Sequence, residues 1–71
     1  MNYVVQKAIQ NELNERIPPG PKGDPQNHLR HIVNSQRLHG KSFDHSVQVG
    51  VDLVRELYPN FTPKILPGRQ A

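Results

Sequence analysis

The residue types of a hydrolase triad lie close together in this chain, as Ser42, Asp44, His45 and Ser46. A serine nucleophile needs an imidazole to take its proton, a carboxylate to orient that imidazole, and a cleft to hold the substrate. Nearness in sequence supplies none of that geometry, and a 71-residue chain has little interior from which to form a cleft. The four histidines, His28, His31, His39 and His45, raise metal binding instead. Structural zinc usually draws on cysteine as well, and the chain has no cysteine. On a helical wheel His28 borders the apolar stripe of its segment while His31 points away from it. The histidines are therefore expected to make charge-assisted hydrogen bonds with Asp44, Asp52 or Glu56, stabilising the fold below about pH 6.5. Gly40-Lys41-Ser42 matches the end of a phosphate-binding loop, but the first glycine of that loop would fall at Ser35 and no strand precedes it. It reads as a turn between helices. No catalytic residue, metal or cofactor is expected.

Three segments must position whatever the chain does. The clearest runs from Asp24-Pro25, a capping side chain followed by proline at the first helical position, to Gly40, a natural stop. Leu29, Ile32 and Val33 form its apolar stripe, continued by Gln36, with Arg30, Asn34 and Arg37 on the opposite side. The next helix can be capped by Ser42 or Asp44. It carries Phe43, Val47, Val51, Val54 and Tyr58 at helical spacing, with Gly50 and Leu57 on the same side. Glycine within a helix costs about 1 kcal/mol relative to alanine, so Gly50 implies close approach of a neighbouring helix backbone, that of residues 25–38. Pro59 makes Tyr58 the boundary. Val49 and Leu53 fall off this stripe, and either the N-terminal segment covers them or they face a partner.

The N-terminal segment, residues 1–17, repeats Val5, Ile9, Leu13 and Ile17 every four positions, with Glu12 and Arg16 as a supporting pair. Tyr3-Val4-Val5 alone suits a short strand equally well. An isolated helix of this length is marginal in water, so it packs on the rest or waits for a partner. Residues 18–24 place glycine at 20 and 23, as collagen would. Gln26 breaks the triplet at once, and a triple helix tolerates no such break. The segment reads as a stiff proline-glycine connector. Residues 59–71, with Pro63 and Pro67, read as a flexible extended tail whose Phe61, Ile65 and Leu66 can tether its first part. The expected class is mainly α: a two-helix hairpin over 25–58, an N-terminal helix or strand, and that tail.

Composition limits the classes further. Hydrophobic residues make up 34% and mean hydropathy is −0.73, low for a self-sufficient core in a chain that buries only roughly 60% of its unfolded surface. Without cysteine there is neither a disulfide nor thiolate chemistry. No apolar run approaches the ~18 residues of a membrane span, and no signal-peptide pattern is present, so a soluble intracellular protein is expected. Nine lysines and arginines against six acids give a net charge of +3. The basic residues are dispersed, which reads as ordinary solubilising charge rather than a phosphate-binding face and is compatible with docking onto an acidic protein surface.

Taken whole, and particularly over NHLRHIVNSQRLHGKSFDHSVQVGVDLVREL (27–57), the chain resembles the small transcription regulators that lytic bacteriophages direct at the host RNA polymerase. That resemblance implies a protein without enzymatic activity, acting in the cytoplasm of a bacterial host. It would bind the polymerase and block or displace the sigma factor, with resistance to terminators in some members. DNA would be met only indirectly, and the expected state is a monomer. Contact is then expected through Tyr3 and Val4 as apolar anchors, with Lys7, Arg30, Arg37 and Lys41 assisting encounter. The competing reading is a DNA-binding helix-turn-helix whose third helix presents His45, Gln48, Asp52 and Arg55 to the groove. Asp52 and Glu56 on that face would repel phosphate.

Overall fold

A computed structural model describes residues 3–68. It contains three helices, α1 (Tyr3–Arg16), α2 (Pro25–Leu38) and α3 (Phe43–Leu57), and no strand among the described residues. The chain is mainly helical and closes into a small globule. Its radius of gyration of 11.9 Å is near the ~11 Å expected for this length.

Local chemistry sets the helix ends. The Asp24 carboxylate accepts from the Gln26 backbone N–H at 2.8 Å, with Pro25 at the first helical position. At the other end of α2, the Gly40 N–H donates to the Arg37 carbonyl and the Lys41 N–H to the Gln36 carbonyl. That pair of bonds is the Schellman stop, which requires a left-handed residue, and Gly40 has φ +85°. Of the two capping candidates for α3, Ser42 is the one used: its Oγ accepts from the His45 N–H at 3.1 Å. Turns therefore occupy both linkers. In the proline-glycine segment the Asp24 N–H donates to the Pro21 carbonyl, and Gly23 takes φ +84° at the third turn position. The Asn27 side chain holds this turn, exchanging hydrogen bonds with both backbone groups of Gly20 and donating also to the Pro21 carbonyl.

The core joins Ile9, Leu13 and Ile17 to Leu29, Val33 and Val54, with Ile32, Phe43, Val47, Val51, Phe61 and Ile65 packed around them. Gly50 is buried at the α2–α3 contact. What fills the space beside it is the Leu29 and Val33 side chains, not the α2 backbone that the sequence suggests. Leu57 and Tyr58, placed on the core stripe by their spacing, are 59% and 40% exposed. Tyr58 lies beyond the last turn of α3 and meets His28 of α2 edge-on, ring centroids 6.4 Å apart.

The N-terminal segment is a helix, and it packs along α2. The hydrogen bonds Gln10–Asn34 and Asn14–Arg30 show an antiparallel register in which one index rises by four as the other falls by four. The side of α2 carrying Arg30, Asn34 and Arg37, expected to face away from the packing, is therefore the side that receives α1. Glu12 pairs with Arg37 across the two helices at 3.0 Å rather than with Arg16. Gln10 and Asn14 fall on one flank of the Ile9–Leu13 edge and Glu12 on the other, so α1 is held on both sides. Because α1 sits on α2, it leaves the outer side of α3 uncovered: Val49 is half-buried and Leu53 is 45% exposed.

Residues 59–68 have no helix or strand, yet residues 61–66 are not a free tail. Phe61 and Ile65 pack on the core. The Gln26 amide exchanges two hydrogen bonds with the Lys64 backbone, at 2.7 and 3.1 Å. Arg16 exchanges two with Leu66, both at 2.7 Å. Buried polar groups must find partners, and Gln26, only 5% exposed, finds its partner in this segment. Residues 69–71 lie outside the described range.

Candidate functional site

The surface that stands out is the beginning of α1. Tyr3 and Val4 are 72% and 71% exposed, whereas burial on this helix begins at Ile9. The antiparallel register explains the difference. Continued past Gln10–Asn34, it sets position 6 against position 38, the last residue of α2. The first turn of α1 therefore lies past the last residue of α2, where Tyr3 and Val4 stay exposed. Lys7, one turn on from Tyr3, shares the outward side and is exposed. In the same register the turn carrying Lys41 lies at this end of the molecule, and Lys41 is exposed as well.

The six residues expected to contact a partner are thus separated by the fold. Tyr3, Val4 and Lys7 are exposed on the first two turns of α1, and Lys41 is exposed in the α2–α3 turn. Arg37 sits between the helices, its Nε on Glu12 and its Nη1 donating to the Lys41 carbonyl at 2.7 Å. Those bonds fix both α1 and the α2–α3 turn, and so position Lys41. Arg30 lies two helical turns further along α2 and donates to Asn14 at 2.7 Å. Beside it is a shallow polar hollow of about 220 Å³ lined by Gln10, Leu13, Asn27, Arg30, His31 and Asn34.

The hydrolase-like residues do not converge. The Ser42 hydroxyl caps α3 through a backbone N–H, and the Ser46 hydroxyl is buried, donating to the Ser42 carbonyl at 2.7 Å. Asp44 and His45 are exposed. Gly40-Lys41-Ser42 forms the α2 stop and the α3 cap, as read from the sequence. Two of the histidines take other partners than the acids expected for them: His39 Nδ1 lies 2.7 Å from the Ser35 carbonyl and His28 meets Tyr58, while Asp52 accepts from the Gln48 amide. Among the described residues no three His, Asp or Glu side chains come together as a metal site would require. No described helix is long and apolar enough to cross a membrane.

The outer face of α3 presents His45, Gln48, Asp52 and Arg55, all exposed. A groove-reading helix needs free donors. Here the Gln48 amide is turned onto Asp52 at 2.9 Å, and Asp44, Asp52 and Glu56 add three carboxylates to the exposed side of the helix. That face suits nucleic acid poorly.

No protein-family model, no curated protein and no solved structure matches this chain.

Sequence reasoning named Tyr3, Val4 and Lys7 as contact residues; what the structure adds is that all three are exposed, on the part of α1 that the register carries to the end of α2. It missed Gln26 and the bonds that join Arg16 to Leu66. Asn27 was also missed, although an amide one turn into a helix after a glycine-rich segment is a signal that could have been weighed.

Proposed function

We propose that the chain is a small, non-enzymatic protein that docks onto bacterial RNA polymerase and lowers promoter-dependent initiation by interfering with the sigma factor. Resistance of elongating polymerase to terminators is a second consequence that the same docking could produce. The observation that carries the reading is the first turn of α1, with Tyr3 and Val4 exposed and Lys7 exposed one turn on. An exposed aromatic and an aliphatic residue with a basic rim suit an acidic protein surface that carries an apolar pocket. The family resemblance supplies the identity of the partner. In this reading the α2–α3 hairpin, residues 25–58, is the rigid support. Arg30 and Arg37 position α1, and Tyr3, Val4, Lys7 and Lys41 make the contact. The protein acts as a monomer in the cytoplasm of a bacterial host, needs no cofactor and meets DNA only through the polymerase.

Transcription from a single promoter by purified polymerase, with and without the protein, tests this. The expected result is fewer initiated transcripts when the protein meets the core enzyme before sigma, with no shift of the promoter fragment by the protein alone. A promoter fragment retained by the protein alone, with affinity falling steeply as salt rises and no effect on the polymerase, would favour α3 as a DNA reader instead.

A further inference from the structure

The N-terminal helix and the C-terminal segment meet at Arg16, the last residue of α1. Its carbonyl is among the last of α1, which have no partner within the helix; it accepts the Leu66 N–H at 2.7 Å. Its Nε returns a bond to the Leu66 carbonyl at 2.7 Å. The same guanidinium lies over the Phe43 ring, 4.4 Å from its centroid, and a Cβ at Gly68 would stand 3.3 Å from one of its terminal nitrogens. One side chain thus touches the end of α1, the start of α3 and the C-terminal segment. Two residues before Leu66, Lys64 exchanges a matching pair of bonds with the Gln26 side chain at the start of α2. A chain that satisfies the backbone groups of alternate residues from one side is held as an edge strand is held, with Ile65 between them packed on the core.

We infer that residues 61–66 are a latch closed over the joint of the three helices, and that its opening is coupled through Arg16 to the release of α1. Opening leaves the nearly buried Gln26 amide without its partner and removes the last cap of α1 together with the bonds that orient Arg16 over Phe43. Loosening α1 in turn displaces the Arg16 carbonyl on which Leu66 depends. Coupling of this kind is reciprocal: whatever binds α1 changes the stability of the latch, and whatever takes the C-terminal segment changes α1, by the same factor. Helix α1 and the C-terminal segment, joined at Arg16 and Leu66 fifty positions apart, form one cooperative unit distinct from the α2–α3 pair.

Amide hydrogen exchange on the full chain, read residue by residue by NMR, tests the coupling. Lys64→Pro removes the N–H given to Gln26 while suiting an extended backbone. Gln26→Ala cuts the same clamp from the other side, so the two variants check each other, and the first decides if the second fails to fold. The expected result is exchange at least about tenfold faster at Leu66, Ile17 and Leu13, with Val33 and Val54 changed less than about twofold. Faster exchange at Leu66 with Leu13 and Ile17 unchanged would show an independent tail and overturn the coupling. Equal acceleration at all five amides would show global destabilisation and overturn the separate unit.

Discussion

Gly50 lies directly against Leu29: a Cβ built at position 50 would stand 2.7 Å from Leu29 Cδ1 and 3.3 Å from Val33 Cγ2. Leu29 and Val33 are both fully buried, so neither can yield without disturbing the core. Gly50→Leu is predicted to destabilise the fold by about 1–3 kcal/mol through overpacking. Gly50→Ala gains about 1 kcal/mol of helix propensity but must displace Leu29, and is predicted to be less harmful than leucine. Urea denaturation measures both. An unchanged midpoint for Gly50→Leu would contradict this packing.

Gly40 has open space around it, so only its backbone constrains substitution. At φ +85° an L side chain is strained, and Gly40→Ala is predicted to lose about 1–2 kcal/mol. Gly40→Asn should lose less, because asparagine tolerates the left-handed region. Equal melting temperatures for Gly40→Ala and the parent chain would rule out the Schellman stop.

Asp24→Ala removes the acceptor for the Gln26 N–H and is predicted to lower stability by about 1 kcal/mol. Asp24→Asn keeps an acceptor of the same length and should stay near the parent value. Thermal melts followed by circular dichroism distinguish the two. An alanine variant as stable as the asparagine one would show that the cap contributes nothing.

The Glu12–Arg37 pair is partly exposed on both sides, so its contribution is screened. A double-mutant cycle with Glu12→Gln and Arg37→Met is predicted to give a coupling of about 0.2–1 kcal/mol that shrinks in high salt. A zero coupling at low salt would leave α1 held by its apolar edge and its amide bonds alone.

How far the sequence disclosed all this follows the range of the interactions involved. Asp24-Pro25, Gly40 and Ser42 act within a few residues of themselves, so each helix end could be read locally. Gly50 pointed to the correct helix pair because a mid-helix glycine implies a close neighbour. Leu57 and Tyr58 misled because periodicity gives a direction around the helix and says nothing of where the partner helix stops. Gln26 was invisible for the opposite reason: a buried amide depends on the backbone of Lys64, 38 positions away, and no local pattern announces that. Arg30 and Arg37 had the chemistry of encounter residues. Their pairing with Asn14 and Glu12 depended on where α1 lands, which composition does not specify.

The central claim is that the first turn of α1 docks the protein onto RNA polymerase, and direct titration tests it best. The measurement is the affinity of the full chain for purified bacterial core polymerase, compared with that of the Tyr3→Ser/Val4→Ser double variant. Helix content of both is checked in parallel by circular dichroism. The predicted result is binding by the parent chain and at least about tenfold weaker binding by the variant, roughly 1.4 kcal/mol, with the same helix content. No binding by the parent chain, or equal affinities for the two, would contradict the account.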